Sequence, residues 1–486
     1  MSLRAADIRF LLARPPASVY VAPALQDVAQ AFAQAGVPTR RRAPDLAIVQ
    51  GADLPEAVAS DPEAVIAFGR SARRPLAGQM PVVRRFITLP SSRTPHLIVP
   101  VDRPLVARYA LETWTFSDSR RQRLRNRLAR AAIALGAFPD LKRSLTVGSR
   151  HEGPPFVLAA ARPLGIPAEA DWFLTLGLGD DLTRAVYHLF SPGERGPRWV
   201  VKFSRVPGHR APFERDEHGL ALVAASPTAA AHAPRFLGRF EVAGLSGSAE
   251  EAVIGRRLTY HLQEPGDRAG KLRAIESVAA WLVALSQATS VPAAELVGER
   301  ERLEREVLPP WGAAVASDLV RHVEAVPGVL QHNDLGSWNL IVGPAGFHAV
   351  DWESAVRAGL PLWDLIYFLV DALVHLDRAW APEHREAHAA RLLCGETDSS
   401  RVLFDWLARG VKALSILGAA VGPVVTLGWL HHGLSSVSRA ALSHTIAPTS
   451  AAPVNETFAE WISRVWLTTP GLGPEWSAFS RSAVRT

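Results

Sequence analysis

The feature that most constrains this 486-residue chain is a polar loop between short apolar runs, GVLQHNDLGSWNLIV followed by FHAVDWESA. Asp334 lies two residues after His332, Asn339 follows five residues later, and Asp351 ends an apolar run twelve residues beyond Asn339. One carboxylate can accept the proton of an attacking hydroxyl, and an amide and a second carboxylate offer the hard oxygens that Mg²⁺ prefers. The spacing therefore predicts a magnesium phosphoryl-transfer site. The alternative is a polar turn in which Asp334 and Asn339 only cap backbone groups.

A second feature is the scarcity of lysine. The 53 basic residues include only four lysines, Lys142, Lys202, Lys271 and Lys412. Lys202 lies within RWVVKF, which predicts a buried strand, where an unpaired ammonium group is costly. A resemblance to a protein-kinase-like lobe would imply that Lys202 contacts phosphate and pairs with Glu217 of the next helix, with Glu214 as the alternative partner. An exposed lysine on an edge strand would explain the same pattern.

Two weaker elements fit a nucleotide site by their position. Gly177 and Gly179 lie in the turn TLGLGDD, where glycine lets the backbone approach phosphate oxygens closely, although a plain hairpin turn explains them nearly as well. Val253 lies in an apolar run before Gly255, at the position expected for a hinge that presents backbone groups to adenine.

The loop resembles the catalytic segment H-x-D-x(4)-N of the aminoglycoside phosphotransferase and choline kinase family, whose fold is similar to that of protein kinases. Val350–Glu353 resembles the metal-binding segment of that family, and GLPLWDL (Gly359–Leu365) resembles the element that follows it. The resemblance implies that Asp334 is the catalytic base and that the bound cofactors are ATP and Mg²⁺. It further implies metal ligands and structural supports: Asn339 and Asp351 as ligands, His332 and Asp364 as supports.

The segment departs from the family pattern at two places. Asn333 stands where the family commonly has glycine, and Gly336-Ser337-Trp338 replaces a short loop that often contains His and Pro. The Asp-to-Asn spacing is intact, so these departures do not exclude the predicted activity. Trp338 either walls the acceptor site or packs between the loop and the helical lobe.

The predicted fold class is α+β: a bilobal protein-kinase-like fold, with a small β-rich N-lobe and a helical C-lobe, preceded by a small α/β domain. Short strand-like runs alternate with helical patterns over the first 140 residues, which carry no phosphate-binding glycine motif. We expect an accessory domain at 1–140, a linker at 141–170, the N-lobe at 171–262 and the C-lobe at 263–486. The Arg-rich helix at 117–136 is interpreted as a solvated face, with contact to an anionic surface as the alternative.

Composition excludes several classes. The single cysteine, Cys394, cannot form an internal disulfide, which fits a reducing, cytoplasmic location. The net charge of +6 is spread over mixed-sign segments, so no nucleic-acid partner is expected. The uncharged run Ala413–Ser438 is long enough for a membrane span, but Pro423 would interrupt it. We predict two buried helices that meet near Gly422–Pro423, and no membrane span.

These features predict an ATP-dependent phosphotransferase that moves the γ-phosphate to a hydroxyl of a small molecule such as a sugar, an amino alcohol or an aminoglycoside-like metabolite. Two alternatives remain. One is a catalytically weak kinase-fold binding or regulatory module whose N-terminal domain docks a partner. The other is a bifunctional chain with a second transferase activity in residues 1–140. The pattern does not distinguish ATP from GTP.

Overall fold

The fold is described from a computed structural model. The residues it describes are 3–69, 76–91, 95–114, 144–177, 181–309, 319–446 and 457–476, with isolated positions at 121, 124, 127–128, 131–132 and 479. The predicted Arg-rich helix at 117–136, and Gly179, therefore lie largely or wholly outside the described residues. The chain divides into two compact units. Unit 1 comprises Met1–Glu217, Phe236–Ile254 and Ser443–Val454, and unit 2 comprises His218–Arg235, Gly255–Leu442 and Asn455–Thr486.

Unit 1 is built on one sheet of eleven described strands in the order β1-β2-β3-β6-β4-β5-β7-β8-β9-β11-β10. Strands β1, β2 and β3 pair in parallel, and every other pair in the sheet is antiparallel. The strands are β1 Val19–Val21, β2 Leu46–Gln50, β3 Ala64–Phe68, β4 Val82–Pro90, β5 Pro95–Pro100, β6 Ser144–Ser149, β7 Asp171–Thr175, β8 Ala185–Phe190, β9 Trp199–Phe203, β10 Phe236–Val242 and β11 Leu245–Glu251.

The predicted accessory domain is continuous with the sheet that carries Lys202. Strand β5 pairs with β7 through Leu97–Thr175 and Ile98–Leu174, so the first six strands extend the five-stranded sheet of the predicted N-lobe. The segment 141–170, expected as a linker, instead contains β6, which lies between β3 and β4, and a short helix, Phe156–Ala161. Strand β6 is hydrogen-bonded to β3 along one edge and to β4 along the other, and its residues are buried after the first. The segment is therefore part of the sheet and cannot act as a linker.

The N-terminal segment is tied to the same sheet by a buried charge cluster. Leu3–Leu11 forms a 3₁₀ helix, and its Asp7 carboxylate lies 2.7 Å from a guanidinium nitrogen of Arg205, two residues after β9. Arg205 also reaches Asp181 at 3.4 Å, and the side chains of all three residues are at most 2% exposed. Phe10 packs edge-on against Phe203 of β9, with ring centroids 4.8 Å apart. Residues 3–11 therefore form part of the core of unit 1.

The helices are numbered in chain order as they occur in the described residues. In unit 1 and across its boundary they are α1 Gln26–Gln34, α2 Leu54–Ala59, α3 Pro104–Thr113, α4 Phe156–Ala161 and α5 Ala211–Ala224. The remainder are α6 Pro227–Ala230, α7 Leu258–Gln263, α8 Arg268–Ala288, α9 Val297–Arg302, α10 Trp363–Leu376, α11 Pro382–Leu393, α12 Asp398–Ala413, α13 Gly418–Ile446 and α14 Phe458–Thr468.

Unit 2 is mainly helical and has two small sheets that hold the predicted catalytic loop. One has the order β12-β14-β15 and the other pairs β13 with β16. Their strands are β12 Arg256–Arg257, β13 Val329–Gln331, β14 Leu340–Gly343, β15 Gly346–Ala349 and β16 Val356–Gly359. Helix α10 is mostly apolar and almost wholly buried, so it forms the core on which the loop rests. The predicted α+β class is confirmed.

The uncharged run Ala413–Ser438 folds differently from the prediction. Helix α12 ends at Ala413 and α13 begins at Gly418, so the break precedes Pro423, which lies inside α13. Pro423 is only the sixth residue of α13, so most of the helix lies beyond it and keeps its hydrogen bonds. No single described helix could by length and apolarity cross a membrane; α12 and Gly418–Ser435 pass that test only as a pair bent by 111°.

Candidate active site

The backbone of the predicted catalytic loop is held by one buried carboxylate. Asp364, at the start of α10, accepts hydrogen bonds from the backbone N–H groups of His332, at 2.6 Å, and Asn333, at 3.0 Å. Burial raises the pKa of Asp364 to about 7, and the two N–H groups act against that rise. The position is the one predicted for a structural support, and its contacts provide a physical basis for that role.

His332 connects the loop to the segment that contains Asp351. Its Nδ1 accepts from the backbone N–H of Asp334 at 3.3 Å, so the ring proton lies on Nε2, which donates to the carbonyl of Val350 at 3.1 Å. The ring also packs against Trp352, with centroids 4.5 Å apart. The ring of His332 therefore connects the backbone at Asp334 to the backbone next to Asp351.

Asp334 is half-buried and is oriented by its neighbours. Nδ2 of Asn339 donates to the Asp334 carbonyl oxygen at 2.8 Å and to Oδ2 at 3.0 Å. The hydroxyl of Tyr367, on α10, donates to Oδ1 at 3.5 Å. These contacts hold the carboxylate in one orientation, as a base requires if it is to meet an incoming hydroxyl. The involvement of Tyr367 was not predicted, because it lies 33 residues from Asp334 in sequence.

Asn339 and Asp351 are brought together by the backbone. The N–H of Val350 donates to the carbonyl of Asn339 at 2.9 Å, so Asp351 follows directly on a residue bonded to Asn339. Asn339 donates through Nδ2, and its Oδ1, with the Asp351 carboxylate, provides two oxygen donors of the type that suits Mg²⁺. Asp351 has φ +72°, a left-handed conformation that is strained for aspartate and typical of functional positions. Across the described residues no cluster of three or more His, Cys, Asp or Glu side chains forms a metal site.

Lys202, in unit 1, is a buried cation paired with carboxylates, but not with the predicted ones. Its Nζ lies 2.9 Å from Glu250 on β11 and 3.4 Å from Asp216 on α5. Glu217, the predicted partner, pairs with Arg239 at 2.7 Å, and Glu214 lies 3.6 Å from the same guanidinium. The prediction of the partner is corrected to Asp216 and Glu250, whereas the buried position of Lys202 agrees with its predicted environment.

The helical phase of α5 explains the difference and would have revealed it. Phe213, Asp216, Leu220 and Val223 are all buried, with the spacing expected of the inner face of a helix. Glu217 is one residue out of phase and faces outward. A carboxylate inside an apolar stripe is costly unless it meets a cation, so Asp216 was the stronger candidate on sequence alone. Its Oδ2 also accepts from Ser248 at 3.2 Å.

The predicted glycine turn and hinge are only partly described. Gly177 has φ +60°, and a Cβ built there would lie 2.2 Å from Cγ2 of Thr183, so glycine is required at this position by both conformation and space. Past β11, Ala252 donates to the carbonyl of Arg198 at 2.9 Å, and Val253 follows, half-buried, where the chain leaves the sheet. The nucleotide roles of Gly177, Gly179 and Val253 stay predictions.

Both departures from the family pattern have a structural reason. Asn333 has φ +67°, a region that asparagine tolerates better than most residues other than glycine, and its side chain donates to the carbonyl of Ser354 at 3.0 Å. Trp338 packs edge-on against Tyr367 and Phe458, with centroids 5.9 Å apart in each pair. Asparagine therefore substitutes for glycine without distorting the loop.

Comparison with known proteins gives structural matches only. No protein-family model and no curated protein sequence matches the chain. The similar solved structures include a proposed aminoglycoside phosphotransferase from Ralstonia eutropha, at 14% identity, covering 68% of this chain and 99% of that one, with a TM-score of 0.41. They also include a spectinomycin phosphotransferase in complex with ADP and spectinomycin, at 10% identity, covering 65% of this chain and 93% of that one, with a TM-score of 0.33.

WbdD is a third similar structure, at 14% identity, covering 90% of this chain and 91% of that one, with a TM-score of 0.29. Structures of aminoglycoside phosphotransferases are therefore among those similar to this chain. At these identities and TM-scores the matches carry no functional argument.

Proposed function

We propose that the chain is a phosphotransferase that moves the γ-phosphoryl group of ATP to a hydroxyl of a small molecule. The observation that carries the proposal is the braced loop of unit 2. There the buried carboxylate of Asp364 holds the backbone just before Asp334, and the imidazole of His332 connects the Asp334 N–H to the carbonyl of Val350. A polar turn that only capped backbone groups would not need a second element, α10, to hold it through two hydrogen bonds.

Each side chain has one role in the proposed reaction. Asp334 accepts the proton of the acceptor hydroxyl while the hydroxyl oxygen forms a bond to the γ-phosphorus and the bond from phosphorus to the leaving ADP oxygen breaks. Asn339 and Asp351 would hold Mg²⁺, which when bound neutralises charge on the phosphates. The ammonium of Lys202, kept in place by Glu250 and Asp216, would contact the α- and β-phosphates.

The acceptor is proposed only as a class, a small molecule with a free hydroxyl such as a sugar, an amino alcohol or an aminoglycoside-like metabolite. Asp334 lies beside an aromatic wall made by Trp338, Tyr367 and Phe458, in which Trp338 and Phe458 are half-buried. An apolar wall next to a base favours an acceptor that offers an apolar surface beside its hydroxyl.

The test is transfer of labelled γ-phosphate from ATP, with Mg²⁺, to a panel of sugars, amino alcohols and aminoglycosides. Wild type should phosphorylate at least one acceptor, and Asp334→Ala should not. Asp405→Ala is a matched control, because Asp405 is half exposed on α12 and pairs only with the highly exposed Arg401 among the described ion pairs. Binding of ATP without transfer to any acceptor or to water would instead support a kinase-fold binding module.

A further inference from the structure

A pocket lies in unit 2 at the C-terminal end of α10. Its volume is about 540 Å³, a size typical of small-metabolite sites. It is formed by the start of α8, the end of α10 and the connection between α11 and α12. Asp371, which accepts from the N–H of the loop residue Ser337 at 2.7 Å, is five residues before Leu376 at the pocket, or about 7.5 Å along the helix, and Tyr367, beside Asp334, is nine residues before it. The pocket is therefore separate from the catalytic loop.

Cationic side chains dominate the lining of this pocket, which we name the α10 pocket. The basic groups are Arg268, Lys271, Arg378, His388 and Arg391, and the acidic groups are Asp377, Glu396 and Asp398. Asp377 is already satisfied, since it accepts from Arg268 at 2.7 Å, from His388 at 3.0 Å and from Ser399 at 2.9 Å. Glu396 pairs with Arg391 at 3.8 Å, and Asp398 is exposed. Among the described ion pairs, Lys271 and Arg378 have no carboxylate partner, and Asp398 has no cationic one.

Lys271 is the more unusual of these two. Its side chain is almost fully buried, at 6% exposed, yet its ammonium donates only to the carbonyl oxygens of Leu262, at 2.8 Å, and Glu264. Within the described parts of the chain no carboxylate forms an ion pair with Lys271. The side chain of Glu264, whose carbonyl accepts from Lys271, pairs with Arg256 instead. A buried ammonium has three donors, and one remains for a ligand.

Arg378 adds a second positive charge next to Lys271. It is exposed, has φ +59° and makes no ion pair with any residue that the structure describes. Burial lowers the pKa of Lys271, and the charge of Arg378 lowers it further, with Glu264 opposing. The buried ammonium of Lys271 beside the charge of Arg378 is costly in the free protein, and an anion bound between them would reduce that cost.

We propose that the α10 pocket is a binding site for a small polyanion bearing phosphate or carboxylate groups, held by Lys271 and Arg378. This site is distinct from the nucleotide and acceptor sites and does not depend on the proposed activity. The fixed pairs around Asp377 and Glu396 form the walls, and the two uncompensated cations supply the charge.

The experiment is calorimetric titration of the full chain with inorganic phosphate, pyrophosphate and citrate at matched ionic strength. We expect saturable binding of at least one of these probes. Lys271→Met and Arg378→Gln should each weaken it about 10- to 100-fold, the loss expected for one charged hydrogen bond. Arg378 is exposed, so Arg378→Gln keeps the test valid even if Lys271→Met does not fold.

Two controls separate this site from others. Arg401→Gln removes a highly exposed arginine of α12 and should leave the affinity unchanged. Lys202→Met should also leave it unchanged, because the proposed nucleotide site lies elsewhere. Absence of saturable binding for all three probes, or affinity retained in both Lys271→Met and Arg378→Gln, would overturn the proposal. If Lys202→Met lost anion binding while Lys271→Met and Arg378→Gln kept it, the anion would belong to the nucleotide site, and the proposal would be overturned as well.

Discussion

Replacement of Asp7 by alanine should destabilise unit 1 out of proportion to a single surface charge. Asp7 accepts from Nε of Arg205 at 2.8 Å and lies 2.7 Å from a second guanidinium nitrogen, and neither side chain is exposed. In Asp7→Ala the buried guanidinium loses the nearer of these two carboxylates and retains Asp181 at the longer distance of 3.4 Å. Removing one partner of a buried pair costs about 3–5 kcal/mol, because the other charge stays buried without compensation.

That loss is large against the total stability of a domain, about 5–15 kcal/mol. For a unit of this size it corresponds to a fall in Tm of about 6–20 °C, taking about 2–4 °C for each kcal/mol. The assay is a thermal melt with hydrogen exchange at the amides of β8 and β9, which report on unit 1 alone. Lys202 lies three residues before Arg205, so the variant should also bind ATP more weakly.

The matched control is Glu241→Ala. Glu241 pairs with Arg210 at 3.2 Å, but both side chains are about 60% exposed, so its loss should cost at most about 1 kcal/mol. Equal changes in the two variants would show that the Asp7–Arg205 pair carries no special stability. The inference that residues 3–11 belong to the core of unit 1 would then fail.

Three further outcomes are expected. Lys202→Met should abolish ATP binding, whereas Glu217→Gln should leave the Kd for ATP within about threefold of wild type, because Glu217 pairs with the half-exposed Arg239. Calorimetry on both variants decides, and equal losses of affinity would restore the predicted pairing of Lys202 with Glu217. The pKa of Asp364 is raised from 3.8 to about 7, so its contribution to stability is present below about pH 4 and is lost as the pH rises to 7. Denaturation at several pH values should show this fall in the free energy of unfolding in wild type and not in Asp364→Asn. Deleting residues 1–140 should prevent unit 1 from folding, because β7 loses β5, one of its two partner strands, and the core loses residues 3–11. A folded remainder that binds ATP, seen by circular dichroism and calorimetry, would restore an independent accessory domain.

The catalytic loop was predictable because its chemistry is local in sequence. The residues from His332 to Asp351 span one loop and one hairpin, so their spacing nearly determines which side chains meet. The strands β1, β2, β3 and β5 were predictable for a similar reason, since each is a short apolar run bounded by turn residues.

The parts that were missed depend on contacts between distant segments. Asp7 and Arg205 are 198 residues apart, and neither carries a local signal that it is buried. Strand β4, VVRRFITLP, contains two arginines that obscure its alternation of apolar and polar residues. Strand β6 lies in the segment 141–170 that the sequence predicts as a linker. The continuity of the sheet through β5 and β7 is therefore not evident from the sequence. The helix partner of Lys202, Asp216, differs from the predicted Glu217 by one residue of helical phase, and its nearer partner, Glu250, lies on β11, a distant segment of the sequence.

The most direct test of the proposed function is the separation of turnover from nucleotide binding in Asp334→Asn. Asparagine keeps the size of the side chain but cannot accept the proton of the acceptor hydroxyl. With an acceptor from the panel, the proposal predicts a fall in kcat of about 10²- to 10⁴-fold, while the Kd for ATP measured on the same sample changes by less than about threefold. An unchanged kcat, or a loss of activity that the change in Kd explains in full, would contradict the assignment of Asp334 as the base.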